Sequence, residues 1–157
     1  LKKIIHLIKS NIISFLQKNG IAFIVLVTTT FVQLYWAMGM LSDHTSSSCL
    51  ECSFFEDALL MSLLTGFFFS ILFSIFSLLK NVYLKATIEF IILIAVWLFW
   101  NYTIFVERES SWSTYLFNEE LYYTISQSVF PVMSLGCTSI ILLHYKEIKT
   151  KFVQTTK

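Results

Sequence analysis

Four apolar runs divide the chain, at residues 21–41, 58–79, 86–106 and 121–143, and each is long enough to cross the roughly 30 Å hydrocarbon core of a bilayer as a helix. Polar stretches separate them at 42–57, 80–85 and 107–120. Within each run the apolar positions are nearly continuous instead of confined to one stripe, so the pattern predicts helices that meet lipid. The first 18 residues read differently. Ile4, Ile5, Leu7, Ile8, Ile12, Phe15 and Leu16 share one helical face, and Lys2, Lys3, Lys9, Ser10, Asn11 and Gln17 the other. This predicts a basic amphipathic helix that lies in the membrane interface, or else docks on a partner, and that is broken at Asn19-Gly20. Residues 144–157 form a basic tail. The expected organisation is an interfacial helix at 1–18, a four-span bundle over 19–143 and the tail.

Composition sharpens this reading. The 157 residues are 56% hydrophobic and only 13% charged, against about 25% charged in soluble domains. Sixteen phenylalanines need more enclosure than so short an aqueous fold offers, whereas a bilayer accepts them unenclosed. A net charge of +1 with no basic stripe beyond the terminal segments argues against nucleic acid. No cleavable signal peptide is expected, because 21–41 is long enough to span and lacks a cleavage site. The first residue is Leu1, not Met, which leaves an upstream segment or an unconventional start open. Short connections make neighbouring helices antiparallel, so the expected fold is an all-α, integral membrane, up-down four-helix bundle.

Charge sets the expected orientation. Ten of the eleven basic residues lie in segments that four crossings place on one side; Arg108 is the exception. Eight of the ten acidic residues lie on the other side. The positive-inside rule then puts both termini in the cytoplasm and both acidic loops outside a bacterial inner (plasma) membrane.

Residues 42–57, SDHTSSSCLECSFFED, carry Cys49 and Cys52 as a C-x-x-C pair on the side where disulfides form. Glu51, Glu56 and Asp57 surround it in sequence with no Lys or Arg close by, which opposes a reactive thiolate. A structural disulfide, redox exchange and intermolecular or metal pairing are all open to such a pair. The metal reading recruits His44, Cys49, Cys52 and Asp57, but one cysteine pair with one histidine is not a zinc motif and no metal is expected. Four spans with Cys49-Leu50-Glu51-Cys52 just outside the membrane resemble the quinone-coupled disulfide-generating membrane proteins, the bacterial disulfide-bond oxidase and vitamin K epoxide reductase families. That resemblance implies thiol-disulfide oxidoreduction at Cys49 and Cys52 with a quinone cofactor. Those families relay electrons through a second cysteine pair, whereas here only Cys137 remains, inside the fourth span.

Four further features stand out. Ser62, Gly66, Ser70 and Ser74 recur every four residues and draw a small-residue stripe along the second span, which lets another helix of the chain or a second copy approach closely. Gln33, Asn101 and Gln127 are polar residues in the outer halves of their spans; they either bond neighbouring helices or line one cavity open towards the cysteine loop. Pro131 predicts a local distortion of the fourth span. Glu89, four residues after Lys85, is expected to form an intrahelical ion pair with it. No phosphate loop, hydrolase triad or metalloprotease motif is present. The function expected is non-catalytic: a subunit of a membrane complex or a small oligomeric pore or effector, with lipid and other membrane subunits, or itself, as partners. The alternative is the quinone-coupled oxidoreductase.

Overall fold

The computed structural model describes the backbone of residues 2–76, 79 and 81–155, and the side chains of residues 19–145 within that set together with Lys149. Among the described residues the regular structure is helical throughout. Helix α1 is Lys2–Met38, α2 Phe54–Phe76, α3 Val82–Arg108 and α4 Phe117–Thr155, with single 3-10 turns at Gly39–Leu41 and Ser110–Trp112. All four helices hold stretches long and apolar enough to cross a membrane, and the protein is an integral membrane four-helix bundle. In lipid every backbone N–H and C=O must find its partner within the protein, which is why the apolar runs fold as uninterrupted helices.

Helix boundaries depart from the apolar runs for local reasons. The α1 helix passes unbroken through Asn19-Gly20, where the sequence predicts a break. A helical glycine costs only about 1 kcal/mol against alanine, and Asn19 turns its amide away from its own backbone to donate to Ser74 Oγ at 3.0 Å, tying this turn to α2. The amphipathic face expected over 1–18 rests on side chains outside the described ones. Helix α2 starts before its apolar run because Ser53 and Glu56 form a reciprocal capping box: Ser53 N–H donates to Glu56 Oε2 at 2.9 Å and Glu56 N–H to Ser53 Oγ at 3.3 Å. Asn81 caps α3 by accepting from the amides of Tyr83 and Leu84. Helix α4 continues through Pro131 and on through the predicted tail to Thr155. Proline has no N–H to give the carbonyl of Gln127 one turn earlier.

Helix α2 packs chiefly on α1, and α3 on α4; α1 also lies along α4 and beside α3, while α2 barely meets α3. Each helix buries one stripe and shows the rest to lipid. On α3 the buried stripe is Lys85, Glu89, Leu93, Trp97, Asn101, Ile104 and Arg108, near-perfect four-residue spacing. Two apolar clusters fill the interior. One, near the loops, joins Leu34, Met38, Leu41, Phe54, Ala58 and Ile104. The other, at mid-bundle, joins Leu26, Phe69, Leu93, Trp97 and Val132. Two tryptophans of α3, Trp97 buried and Trp100 partly buried, satisfy their indole N–H groups across the bundle: Trp97 donates to Thr30 Oγ1 and Trp100 to Thr65 Oγ1, each at 2.9 Å.

Candidate functional site

The C-x-x-C segment lies at the end of the bundle where both long loops meet. Cys52 N–H donates to the Cys49 carbonyl at 3.2 Å, closing a tight turn. The two sulfurs form a disulfide across it. The loop is then fastened to the other side of the bundle by three contacts: Ser47 N–H to the Glu107 carbonyl at 2.9 Å, Ser46 Oγ to Glu107 Oε2 at 3.4 Å, and the Trp112 indole N–H to the Thr45 carbonyl at 2.9 Å.

Arg108, the last residue of α3, is the centre of this end. Its side chain is 2% exposed and spreads its fork over three acceptors of the first loop and of α2. Nη1 donates to the His44 carbonyl at 2.5 Å, and Nη2 donates to the Cys52 carbonyl at 3.2 Å and to Asp57 Oδ2 at 2.5 Å. Below it, the guanidinium sits 5.4 Å from the centre of the Phe54 ring. The expectation that the cysteines lack a basic neighbour is therefore corrected: sequence distance hid a cation 56 positions away that the fold brings to Cys52. That cation is largely compensated, since Asp57 shares it.

The four residues read as possible metal ligands are each engaged otherwise. His44 Nδ1 lies 2.9 Å from Glu109 Oε2, Asp57 holds Arg108, and the cysteines hold one another. Among the described residues no group of three His, Cys, Asp or Glu side chains converges as a metal site. Asp43, His44, Thr45, Leu50, Arg108, Glu109 and Trp112 line a shallow, open depression over this surface.

The small-residue stripe of α2 faces α1 of the same chain. Ser62 is fully buried, and a Cβ on Gly66 would stand 2.5 Å from Val27 Cγ2 and 3.2 Å from the Phe23 ring, so hydrogen alone fits there. Ser70 bonds back to the Gly66 carbonyl, and Ser74 accepts from Asn19.

The intramembrane amides divide. Gln33 and Asn101 are both fully buried, and no amide nitrogen or oxygen of either has a hydrogen-bond partner. They stand at one depth: α1 and α3 run in parallel, Thr30 and Trp97 are bonded to each other, and the two amides lie three and four residues beyond them, about 4.5 and 6 Å further along. Gln127 does not join them; it is exposed on the outer side of α4. The buried polar positions of α4 at this end are Thr124 and Ser128, one turn apart. Two adjacent spacings on one helix, 124–128 and 127, differ only in phase, and a continuous apolar run does not fix which phase points inward.

At the opposite end of the bundle Glu89 pairs with His144, not with Lys85. His144 Nε2 lies 2.5 Å from Glu89 Oε2, with the two side chains 4% and 0% exposed. Lys85 is also buried, one turn earlier on α3. The sequence reading assigned His144 to the tail and so missed a contact that joins α3 to α4. A histidine in register with a span glutamate was the available signal. No family model, curated protein or solved structure matches this chain.

Proposed function

We propose that this chain is a non-catalytic membrane component, a subunit of a larger membrane complex, whose disulfide-clipped loop end is a fixed platform for other subunits. The observation that carries this reading is the use made of Arg108. Two of its three acceptors are backbone carbonyls, those of His44 and Cys52, and the third is the capping-turn carboxylate Asp57. Such contacts hold a loop in one shape and leave the guanidinium committed. A small pore is less well supported. The Gly66 stripe is occupied by Phe23 and Val27 of the same chain, and Trp97, Leu93 and Leu26 fill the centre of the bundle. In this reading both termini are cytoplasmic and the Cys49–Cys52 loop faces outwards from a bacterial inner membrane, as the distribution of lysines favours.

A second reading keeps thiol-disulfide exchange with a quinone, and the proximity of Arg108 to Cys52 favours it, because a cation stabilises a thiolate. The two separate in a thiol-trapping redox titration of the full chain in detergent. A structural clip keeps a low potential, below about −300 mV, and is indifferent to added quinone. Reoxidation of the reduced pair by quinone, at a potential like that of known periplasmic oxidants, overturns the non-catalytic reading.

A further inference from the structure

We propose that Glu89 and His144 form a proton-binding site inside the bundle, linking α3 to α4 at the end where the termini lie. Ionisable side chains within membrane spans are costly and mark functional sites by default. Here two of them, 55 positions apart, meet at 2.5 Å with almost no exposure. The other carboxylate oxygen, Glu89 Oε1, is buried without a hydrogen-bond partner.

Counting protons shows why the pair is a site and not simply a strap. With a neutral imidazole donating its Nε2–H to Oε2, the pair carries one net negative charge in a low-dielectric interior, half of it on the bare Oε1. One proton taken from water makes the pair neutral, whether it rests on the imidazole or on the carboxyl. A second takes whichever position the first left, imidazole Nδ1 or carboxyl Oε1, and leaves an imidazolium bonded to a carboxylic acid. Within the pair itself the neutral form has the least buried charge.

Among the described side chains, few charged or titratable groups lie near the pair. On α3, Lys85 is buried one turn before Glu89. On α4 the next residue, Tyr145, is exposed and lies beneath Lys149, whose Nζ is 5.9 Å from the ring centre. The titratable side chains described on α1 and α2 are Tyr35, Glu56 and Asp57, all at the far end. Leu26, Phe69, Leu93, Trp97 and Val132 close the interior towards the loops, with Leu93 and Trp97 about 6 and 12 Å along α3 from Glu89. The opposite end of α3 is about 10 Å away, at Val82.

The test is a pH titration of the full chain in lipid nanodiscs, over about pH 4 to 8 to bracket free glutamate and histidine. Imidazole 15N resonances and the protonated-carboxyl infrared band are recorded together. His6→Gln and His44→Gln, both outside the pair, identify the His144 resonance by elimination. In the wild type the His144 signal and a carboxyl band are both expected to change with pH. Glu89→Gln should abolish that band and move the His144 interval. A His144 interval that Glu89→Gln leaves in place, or no carboxyl band in the wild type, overturns the proposal. Where Glu89→Gln does not fold, the wild type decides alone: a His144 signal and a carboxyl band that both respond to pH support the site, and the absence of either response overturns it.

Discussion

Arg108 ends α3 and Cys52 lies in the first loop, yet the Arg108 Nη2 donates to the Cys52 carbonyl at 3.2 Å while the same nitrogen holds Asp57. One buried guanidinium thus joins the end of α3 to the disulfide turn and to the first turn of α2. Removing it leaves two carbonyls and a carboxylate without their donor. Arg108→Leu is expected to lower stability by about 3 kcal/mol, the scale for breaking a buried ion pair. Arg108→Lys should recover little, because a single ammonium cannot reach three acceptors in a fixed fork. Asp57→Asn should cost less, about 1–2 kcal/mol, since Asp57 is partly exposed and Arg108 keeps both carbonyls. Thermal unfolding in one detergent ranks the three. An Arg108→Leu protein as stable as the wild type would falsify this account of the loop end.

The disulfide itself spans a separation of three residues. Closing so short a loop restrains the unfolded chain by only about 2 kcal/mol in the chain-entropy model. Cys49→Ser and Cys52→Ser, alone or together, should therefore lower the melting temperature modestly and leave expression intact. Collapse of the protein in either variant would show that the turn does more than close itself.

Gly66 and Gly20 make opposite predictions on neighbouring helices. At Gly66 an added methyl meets the stiff, β-branched Val27 at 2.5 Å, and relieving that clash should cost about 1–3 kcal/mol. At Gly20 nothing lies within 4 Å of the added methyl, and alanine is the better helix former by about 1 kcal/mol. Gly66→Ala should melt earlier than the wild type and Gly20→Ala later. The reverse order would mean that α1 breaks at Asn19-Gly20 as its sequence suggests.

Apolar run length was enough to read four helices, because the bilayer accepts no other short spanning element and sets their length. The loop end was legible only in part. Cys49 and Cys52 announced a pair by spacing, but Arg108 reached them through the α2–α3 topology, which no local pattern encodes. Likewise Ser53-Phe-Phe-Glu56 is a readable capping box, whereas the choice of Thr124 and Ser128 over Gln127 for the interior depends on the rotation of α4 against α3. Asn19-Gly20 misled because a break signal in a soluble protein carries less weight where a neighbouring serine takes up the asparagine amide.

Tyr115 reports the acidity of the second loop. It is half-buried against Phe105 and Tyr123, and its phenol is held above the ordinary 10.0, first by burial and then by Glu109, Tyr123 and Glu119. A raised folded value means the native loop keeps the proton after the unfolded chain has lost it. The contribution is complete below about pH 10 and disappears as pH rises through the folded value. Ultraviolet titration should show a late-ionising tyrosine phase, and Tyr115→Phe should reduce its amplitude. Loss of a different, earlier phase in that variant would contradict the assignment.

The last prediction concerns Gln33 and Asn101. Both amides are fully buried at one depth, and none of their four polar atoms is bonded to protein. Burying an amide without a partner costs about 1–3 kcal/mol. Replacing it by an apolar side chain of similar size removes that cost and forfeits no bond. Gln33→Met and Asn101→Leu, singly and combined, are therefore expected to melt at or above the wild-type temperature, with additive effects. The double variant is the informative one. If each single change destabilises the protein by more than about 1 kcal/mol but the pair together does not, the two amides are coupled, directly or through a bound molecule. The interior at this depth would then be a built polar site, and the apolar clusters on either side of it, around Leu34 and around Trp97, would be its walls.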